Sequence, residues 1–380
     1  MPTPADERPA VAHVLHRMQY AGAEVLAADL LRKLGDRFAF TVLCLDGRGE
    51  LGEAMAAEGW DVVDLGRRPG VDLGVARRLG RELKRRRVDL VHAHQYTPFF
   101  YAGLGRLLTR TRGTPILFTE HGRHYPDPRK LKHVVANRAL LGRQDRVTAV
   151  GHFVKRALVA NEGIADARIE VIHNGIDVEA FTPKNDASRA EARRRLELAD
   201  DTPVLMQVAR FHPVKDHATA IRALGRLAEA GVAFTMVFVG DGETRGDMES
   251  LATACNVRNR CRFVGVRDDV RDLLPAADAF VLSSVSEGVS VTLLEAMATG
   301  LPVAATDVGG NGEVVAHRHT GLLSPRGDPD ALAQHLALLL ADPALRRDMG
   351  DAAVHRAHEH FTQSRMHARY AELYDAMTAA

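Results

Sequence analysis

Residues 286–300, SEGVSVTLLEAMATG, set two carboxylates eight positions apart, Glu287 just before an apolar helical stretch and Glu295 about two turns inside it. The first backbone N–H groups of a helix have no partner within it and carry the positive end of its dipole, so a phosphate suits Val289 and Ser290. Carboxylates accept from sugar hydroxyls but repel phosphate. Glu287 and Glu295 therefore suit a ligand with a hydroxylated group on either side of a diphosphate, with Gly288 beside Glu287 a further donor-binding candidate. A helix-start acid plus an unrelated surface acid is the plainer alternative. In VARFHPVKDH, Arg210 and Lys215 lie five positions apart after another apolar run, where both could meet one diphosphate or could form ordinary salt bridges. VGDGE at 239–243 and the Gly309–Gly310 pair are turns that let backbone approach closely, and Thr320–Gly321 reads as the end of a helix.

Short β-branched runs alternate with helical patterns along all 380 residues, the sign of repeated βα units on parallel sheets. The length suits two domains. VAHVLHRM, FAFTVLCL, WDVVDL, VDLVHAH, TPILFTE, DRVTAV and RIEVIHN read as strands of the first half; PVLMQVAR, FTMVFVG, CRFVG, DAFVLSS and PVAAT as those of the second. The turn-rich HNGIDVEAFTPKNDAS marks the join. The reading is of two doubly wound Rossmann-like domains, 1–182 and 183–362, facing each other across a ligand cleft at the carboxyl ends of their strands, with a terminal amphipathic helix over 363–380 packing back on the first.

The net charge is only +1, but residues 1–183 hold 28 Lys and Arg against 22 Asp and Glu, and the rest 22 against 27. Much of the surplus lies in helix 75–88, where Val75, Leu79 and Leu83 form an apolar stripe and the basic residues take the other faces. That pattern is expected to be a solvated face, with peripheral contact to an anionic membrane surface as the alternative. Nucleic acid is not expected, since the chain is nearly neutral and lacks interleaved aromatics. The opening residues MPTPADERPA show no leader pattern and no run reaches membrane-spanning length, so a cytoplasmic protein, peripheral at most at the inner membrane face, is expected. Cys44, Cys255 and Cys261 lack metal or redox spacing and read as buried thiols. The Asp328–Pro329–Asp330 pattern reads as a helix cap, and no metal site is expected.

On EGVSVTLLEAMATGLPVAATDVGGNGEVV, VARFHPVKDH, VGDGE and VIHNGIDVEAF, the chain resembles the retaining glycosyltransferases of family 4, with their E-x7-E signature and GT-B fold. The resemblance implies a nucleotide-sugar donor on the C-terminal domain, a hydroxyl acceptor on the N-terminal one, and no cofactor. Arg210 and Lys215 would neutralise the departing diphosphate, and Val289 and Ser290 would offer it backbone N–H groups. Glu287 would touch the transferred sugar and Glu295 the ribose. Val266 stands where the family's backbone recognises the base, with UDP favoured over GDP. In the N-terminal half, Ala21-Gly22-Ala23-Glu24 stands for the family's Gly-Gly-x-Glu, with Gly22 near the donor. His121 in LFTEHGRHYPD matches the histidine beside the transferred sugar, and His94, Arg123 and Tyr125 are candidates for the acceptor side. Same-face attack within an ion pair is the expected route to retention, because Glu287 is assigned to hydroxyl binding. A nucleotide-sugar epimerase of the same fold and a non-catalytic nucleotide-sugar sensor are the alternatives. A nicotinamide dehydrogenase is disfavoured, since the first βα turn lacks G-x-G-x-x-G.

Overall fold

The computed structural model describes residues 8–111, 113–123 and 126–379. The chain forms two compact units, one of residues up to His173 together with Met366 onward, the other Asn174–Arg365. Both are parallel sheets flanked by helices. The first contains β1 (Ala10–Leu15), β2 (Ala39–Cys44), β3 (Asp61–Asp64), β4 (Leu90–His94), β5 (Ile116–Glu120), β6 (Arg146–Ala149) and β7 (Ile169–Val171), in the order β3-β2-β1-β4-β5-β6-β7. The second contains β8 (Val204–Val208), β9 (Thr235–Val239), β10 (Cys261–Phe263), β11 (Ala279–Leu282), β12 (Val303–Thr306) and β13 (Gly321–Ser324), in the order β10-β9-β8-β11-β12-β13.

The central strands are apolar throughout because helices cover both faces, and every residue of β4, β5, β8, β11 and β12 is buried. In each sheet the strand order runs one way and then jumps back, between β1 and β4 in the first unit and between β8 and β11 in the second. Successive connections there leave toward opposite sides, opening a crevice beyond the carboxyl ends of those two strands.

β13 was not anticipated. Gly321 opens this edge strand and does not end a helix: the preceding helix stops at Val314. Gly321 pairs with Val303, and a Cβ at Gly321 would lie 2.4 Å from the Val303 carbonyl oxygen, so the missing side chain is what admits the pairing. Helix Leu73–Arg85 follows its apolar stripe, burying Val75, Leu79 and Leu83, with the Asp72 side chain accepting from the Val75 N–H. Asp328 caps helix Pro329–Ala341 with proline at its first turn, and residues Gln363–Thr378 form one helix. All three cysteines are free, Cys44 and Cys261 buried and Cys255 half-buried. Among the described residues no helix is long and apolar enough to cross a membrane.

One buried ion pair braces the first sheet. Arg106 grips Asp145 through two contacts, 2.7 and 2.8 Å, and Asp145 also accepts from the N–H groups of Ile116 and Gly142. Its loss strands a buried guanidinium. Asp145→Ala is expected to cost about 3–5 kcal/mol in denaturant unfolding, whereas Glu58→Ala, which removes the exposed partner of Arg32, should cost under about 1 kcal/mol. Equal midpoints for the two variants would contradict this account.

Candidate functional site

At the crevice of the second sheet, three loops from neighbouring strand ends are locked together by backbone. The β8 exit turns through Pro213–Lys215 as one turn of 3-10 helix before helix His217–Glu229, so Lys215 precedes the long helix. Asp216, at φ 44°, caps that helix by accepting from Thr219. The β11 exit loop is tied to this turn: Val285 N–H donates to the Val214 carbonyl at 2.8 Å, and Ser283 Oγ donates to the carbonyls of Lys215 and Asp216. From the other side Thr306 Oγ1 donates to the Ser284 carbonyl at 2.6 Å. Gly309 and Gly310 lie against the Glu287 and Gly288 carbonyls so closely that added Cβ atoms would sit 1.9 and 2.0 Å from those oxygens. No larger residue fits either position.

This clamp sets the acid–base geometry. Lys215 Nζ lies 2.6 Å from Glu287 Oε1, which also accepts from Ser284 Oγ at 2.5 Å. Glu287 is buried, while a quarter of the Lys215 side chain remains exposed. Ser290 caps helix Val291–Ala298 without a side-chain hydrogen bond, and its Oγ pairs with Thr292 Oγ1 at 3.2 Å. Val289 is buried with its carbonyl accepting from Asn174 Nδ2. Glu295, one turn into that helix, is half-buried, and among the described residues its carboxyl group has no hydrogen-bond partner. Burial pushes it up to about 7.

The β8 exit also carries Arg210, two residues beyond the strand. Its guanidinium is largely exposed and sits 3.2 Å from Glu243 of the Gly240–Glu243 turn. Arg210 and Lys215 thus each have a carboxylate partner of their own, Glu243 and Glu287. Gly240 and Gly242, at φ 135° and 153°, bring that turn against the carbonyls of Ala209 and Phe211, where Cβ atoms would clash. Gly240 also bridges Gly265, and the next residue, Val266, is 77% exposed, a free apolar side chain at the sheet's edge.

In the first unit the crevice lies at the ends of β1 and β4. Gly22 is the first residue of helix Gly22–Leu34, after an extended Ala21. Gln95, following β4, adopts φ 71° and ψ 168°, a conformation that glycine favours and that costs about 1–3 kcal/mol in other residues. His121 follows β5. Its Nε2 lies 2.9 Å from His94 Nδ1, and its buried Nδ1 has no partner among the described residues. His94, expected at the acceptor side, is itself buried with both ring nitrogens engaged, the second with His13 at 3.0 Å. Arg123 departs further from expectation. Asp127 takes its guanidinium through two 2.8 Å contacts, Glu162 at 2.8 Å and Glu120 at 3.5 Å, so it anchors its loop and has little left for a substrate. Tyr125, like His124, lies outside the described residues.

Sequence reasoning passed over His13, His92, Ser284, Gln95 and Tyr374. The alternation in VAHVLH and VHAH held a usable signal, since histidines two apart on a strand share a face. His13, His92 and His94 bring ring nitrogens within 4.8 Å of one another, as a metal site would. All six of those nitrogens are nevertheless taken by hydrogen bonds to one another, His121, Tyr374 or Thr119, which makes a hydrogen-bonded cluster.

The desolvated carboxyl of Glu295 gives a pH signature without any ligand. The folded protein keeps its proton between about pH 4.5 and 7, where the unfolded chain has released it, so stability falls as pH rises through that window. Glu295→Gln should flatten this slope and raise stability above pH 7 by up to about 3 kcal/mol, with little change near pH 4. Parallel stability–pH curves for the two proteins would show that the carboxyl is not desolvated.

Comparison with known proteins agrees with this layout. The profile "Glycosyl transferases group 1" matches residues 188–356 and "Glycosyltransferase Family 4" residues 20–180. The D-inositol 3-phosphate glycosyltransferase of Kribbella flavida is 31% identical over 292 residues, covering 71% of this chain and 67% of its own. The N-acetyl-alpha-D-glucosaminyl L-malate synthase of Bacillus anthracis is 28% identical, covering 80% and 79%. Among solved structures, Anabaena HepE in complex with UDP superposes with a TM-score of 0.84 over 97% of this chain and 100% of that one, at 20% identity, a likeness of fold. With two doubly wound parallel sheets and glycosyltransferase relatives along most of its length, the chain belongs to the family 4 glycosyltransferases of GT-B fold, enzymes that transfer sugar from a nucleotide-sugar donor.

Proposed function

We propose that the enzyme moves a hexose-type sugar from a nucleoside diphosphate, uridine ahead of guanosine, to a hydroxyl acceptor with retention of anomeric configuration. The observation that carries this reading is the Lys215–Glu287 pair, held at 2.6 Å where the strand order reverses and beside the start of helix Val291–Ala298. A diphosphate bound there accepts from that helix's first N–H groups and from Lys215, while Glu287 turns to a sugar hydroxyl. Arg210 changes partner at little cost, because an exposed pair with Glu243 contributes at most about 1 kcal/mol. Glu295 accepts from the ribose, and Val266 sits against the base. Gly22 and His121 are assigned to the donor side of the first unit, His121 to the transferred sugar. The UDP held by HepE, a relative in fold, supports the choice of uridine.

In the reaction the bond between the anomeric carbon and the phosphate oxygen breaks and its electron pair leaves with the diphosphate. Growing negative charge there is met by Lys215, Arg210 and the helix N–H groups, the chain's own cations serving where other transferases employ a divalent ion. The acceptor hydroxyl oxygen then bonds to the same face of the sugar, and its proton passes to the departing phosphate oxygen. The basic face of helix Leu73–Arg85 is partly spent on structure: Arg78 donates to the carbonyls of Leu65 and Gly66, and Arg85 pairs with Glu82. Arg77, Arg81 and Lys84 remain exposed for peripheral contact with an anionic surface.

Lys215→Ala and Glu287→Ala should each lower transfer by at least about 100-fold with the fold intact. Thermal-shift screening against UDP- and GDP-sugars should raise the melting temperature with uridine donors first, and anomer-resolved NMR of the product should give the retained configuration. Wild-type turnover in either variant sinks the site, and an inverted product sinks the same-face mechanism.

A further inference from the structure

A continuous row of buried polar side chains runs through the first unit from the terminal helix to His121. The Tyr374 hydroxyl lies 2.6 Å from His92 Nδ1 and 3.1 Å from His13 Nε2. His13 Nδ1 meets His94 Nε2 at 3.0 Å, and His94 Nδ1 meets His121 Nε2 at 2.9 Å. On the far side of Tyr374, His92 Nε2 lies 2.7 Å from Thr119 Oγ1. Burial pushes His13 down to about 3 and His121 to about 4, and holds His92 and His94 well below the ordinary imidazole range. Each ring is therefore neutral and carries one proton.

Neutral rings joined nose to tail are not independent. Each N···N contact requires one N–H and one lone pair, so the tautomer of any ring dictates the next. Tyr374 decides the direction. A hydroxyl proton makes the shorter hydrogen bond and a ring N–H the longer one. The 2.6 Å contact is thus Tyr374 donating to His92, and the 3.1 Å contact is His13 Nε2–H donating to the Tyr374 oxygen. His13 Nδ1 is then a lone pair, filled by His94 Nε2–H, and His94 Nδ1 a lone pair, filled by His121 Nε2–H. His92, having accepted at Nδ1, donates from Nε2 to Thr119, which completes the row without conflict. What is left over is His121 Nδ1, buried, bare of a proton and without a partner among the described residues.

We infer that His13, His94 and Tyr374 are positioning residues that hold His121 as its Nε2–H tautomer and present its Nδ1 lone pair to a hydroxyl of the transferred sugar. The role at the sugar rests on the assignment of His121 made above; the tautomer rests on the row itself. Tyr374 belongs to the last helix, so a residue distant in sequence and outside contact with substrate selects the hydrogen-bonding sense of a catalytic one.

Tyr374→Phe removes only the hydroxyl and keeps the buried ring. It frees the row to reverse and should lower kcat about 10-fold, the worth of one hydrogen bond, with donor KM and UDP affinity unchanged within about twofold. His94→Leu should fall at least as far, and His94→Gln, whose amide both donates and accepts, should recover most of the loss. Long-range 1H–15N NMR of the wild-type protein should report His121 protonated at Nε2, a readout that needs neither activity nor a folded variant. His121 protonated at Nδ1, a stoichiometric transition metal bound by His13, His92 and His94 in the purified enzyme, or wild-type kcat in both Tyr374→Phe and His94→Leu would each overturn the inference. Wild-type kcat in His121→Ala would instead remove His121 from the sugar while leaving the NMR result to judge the row.

Discussion

The architecture depends on how closely backbone can approach backbone at the carboxyl edge of the second sheet. Reversal of strand order between β8 and β11 opens a crevice, but a crevice alone does not hold side chains to within tenths of an ångström. That tolerance comes from the β12 exit, where Gly309 and Gly310 rest on the carbonyls of Glu287 and Gly288. Neither position admits a Cβ. The Glu287 loop is therefore pinned from one side by glycine and from the other by Ser283 and Val285 on the β8 turn. Because that turn carries Lys215, main-chain packing sets the two loops side by side, within reach of the Lys215 Nζ contact to Glu287 Oε1.

Electrostatics then follow from where the pinned groups stand. Lys215 and Glu287 neutralise one another, so a buried carboxylate does not stand unpaired. Glu295, on the helix that follows the Glu287 loop, has no such partner among the described residues, and burial shifts it toward the neutral form. The two acids of the E-x7-E spacing are thus in opposite conditions, one charged and committed, the other desolvated and uncommitted. Their spacing of eight residues serves this difference, since it sets one acid in the loop beside a cation and the other on the helix wall.

Much of this was legible in the sequence because it is local. The apolar runs of β8, β11 and β12 announce buried parallel strands, and GVSVTLLEAMA after SS announces a strand-to-helix exit with its N–H groups free. What escaped depends on contacts distant along the chain. GLLS is too short to read as a strand until Gly321 is seen beneath the Val303 carbonyl. Arg123 reads as an exposed loop cation, yet Glu162, 39 residues on, buries it. The spacing of Arg210 and Lys215 does not reveal that each has its own carboxylate partner, Glu243 and Glu287. His94 shows the same limit, since a strand-end histidine looks available until His13 and His121 are seen to occupy both its nitrogens.

The histidine row also bears on why so polar a core is tolerated. Burying four imidazoles and a phenol beside apolar strands costs several kcal/mol if any donor or acceptor is left over. Here the side chains satisfy one another, and among the described residues the mismatch within the row falls on a single atom, His121 Nδ1. Replacement of the row by well-packed leucines would remove that cost and improve the core as a core. An apolar core, however, has no directionality and imposes no tautomer on the ring at its edge. A row of rings, each using one proton, transmits the sense of the Tyr374 hydroxyl along the sheet to the ring at its end. Stability surrendered inside the sheet is in this way matched by preorganisation at its carboxyl end.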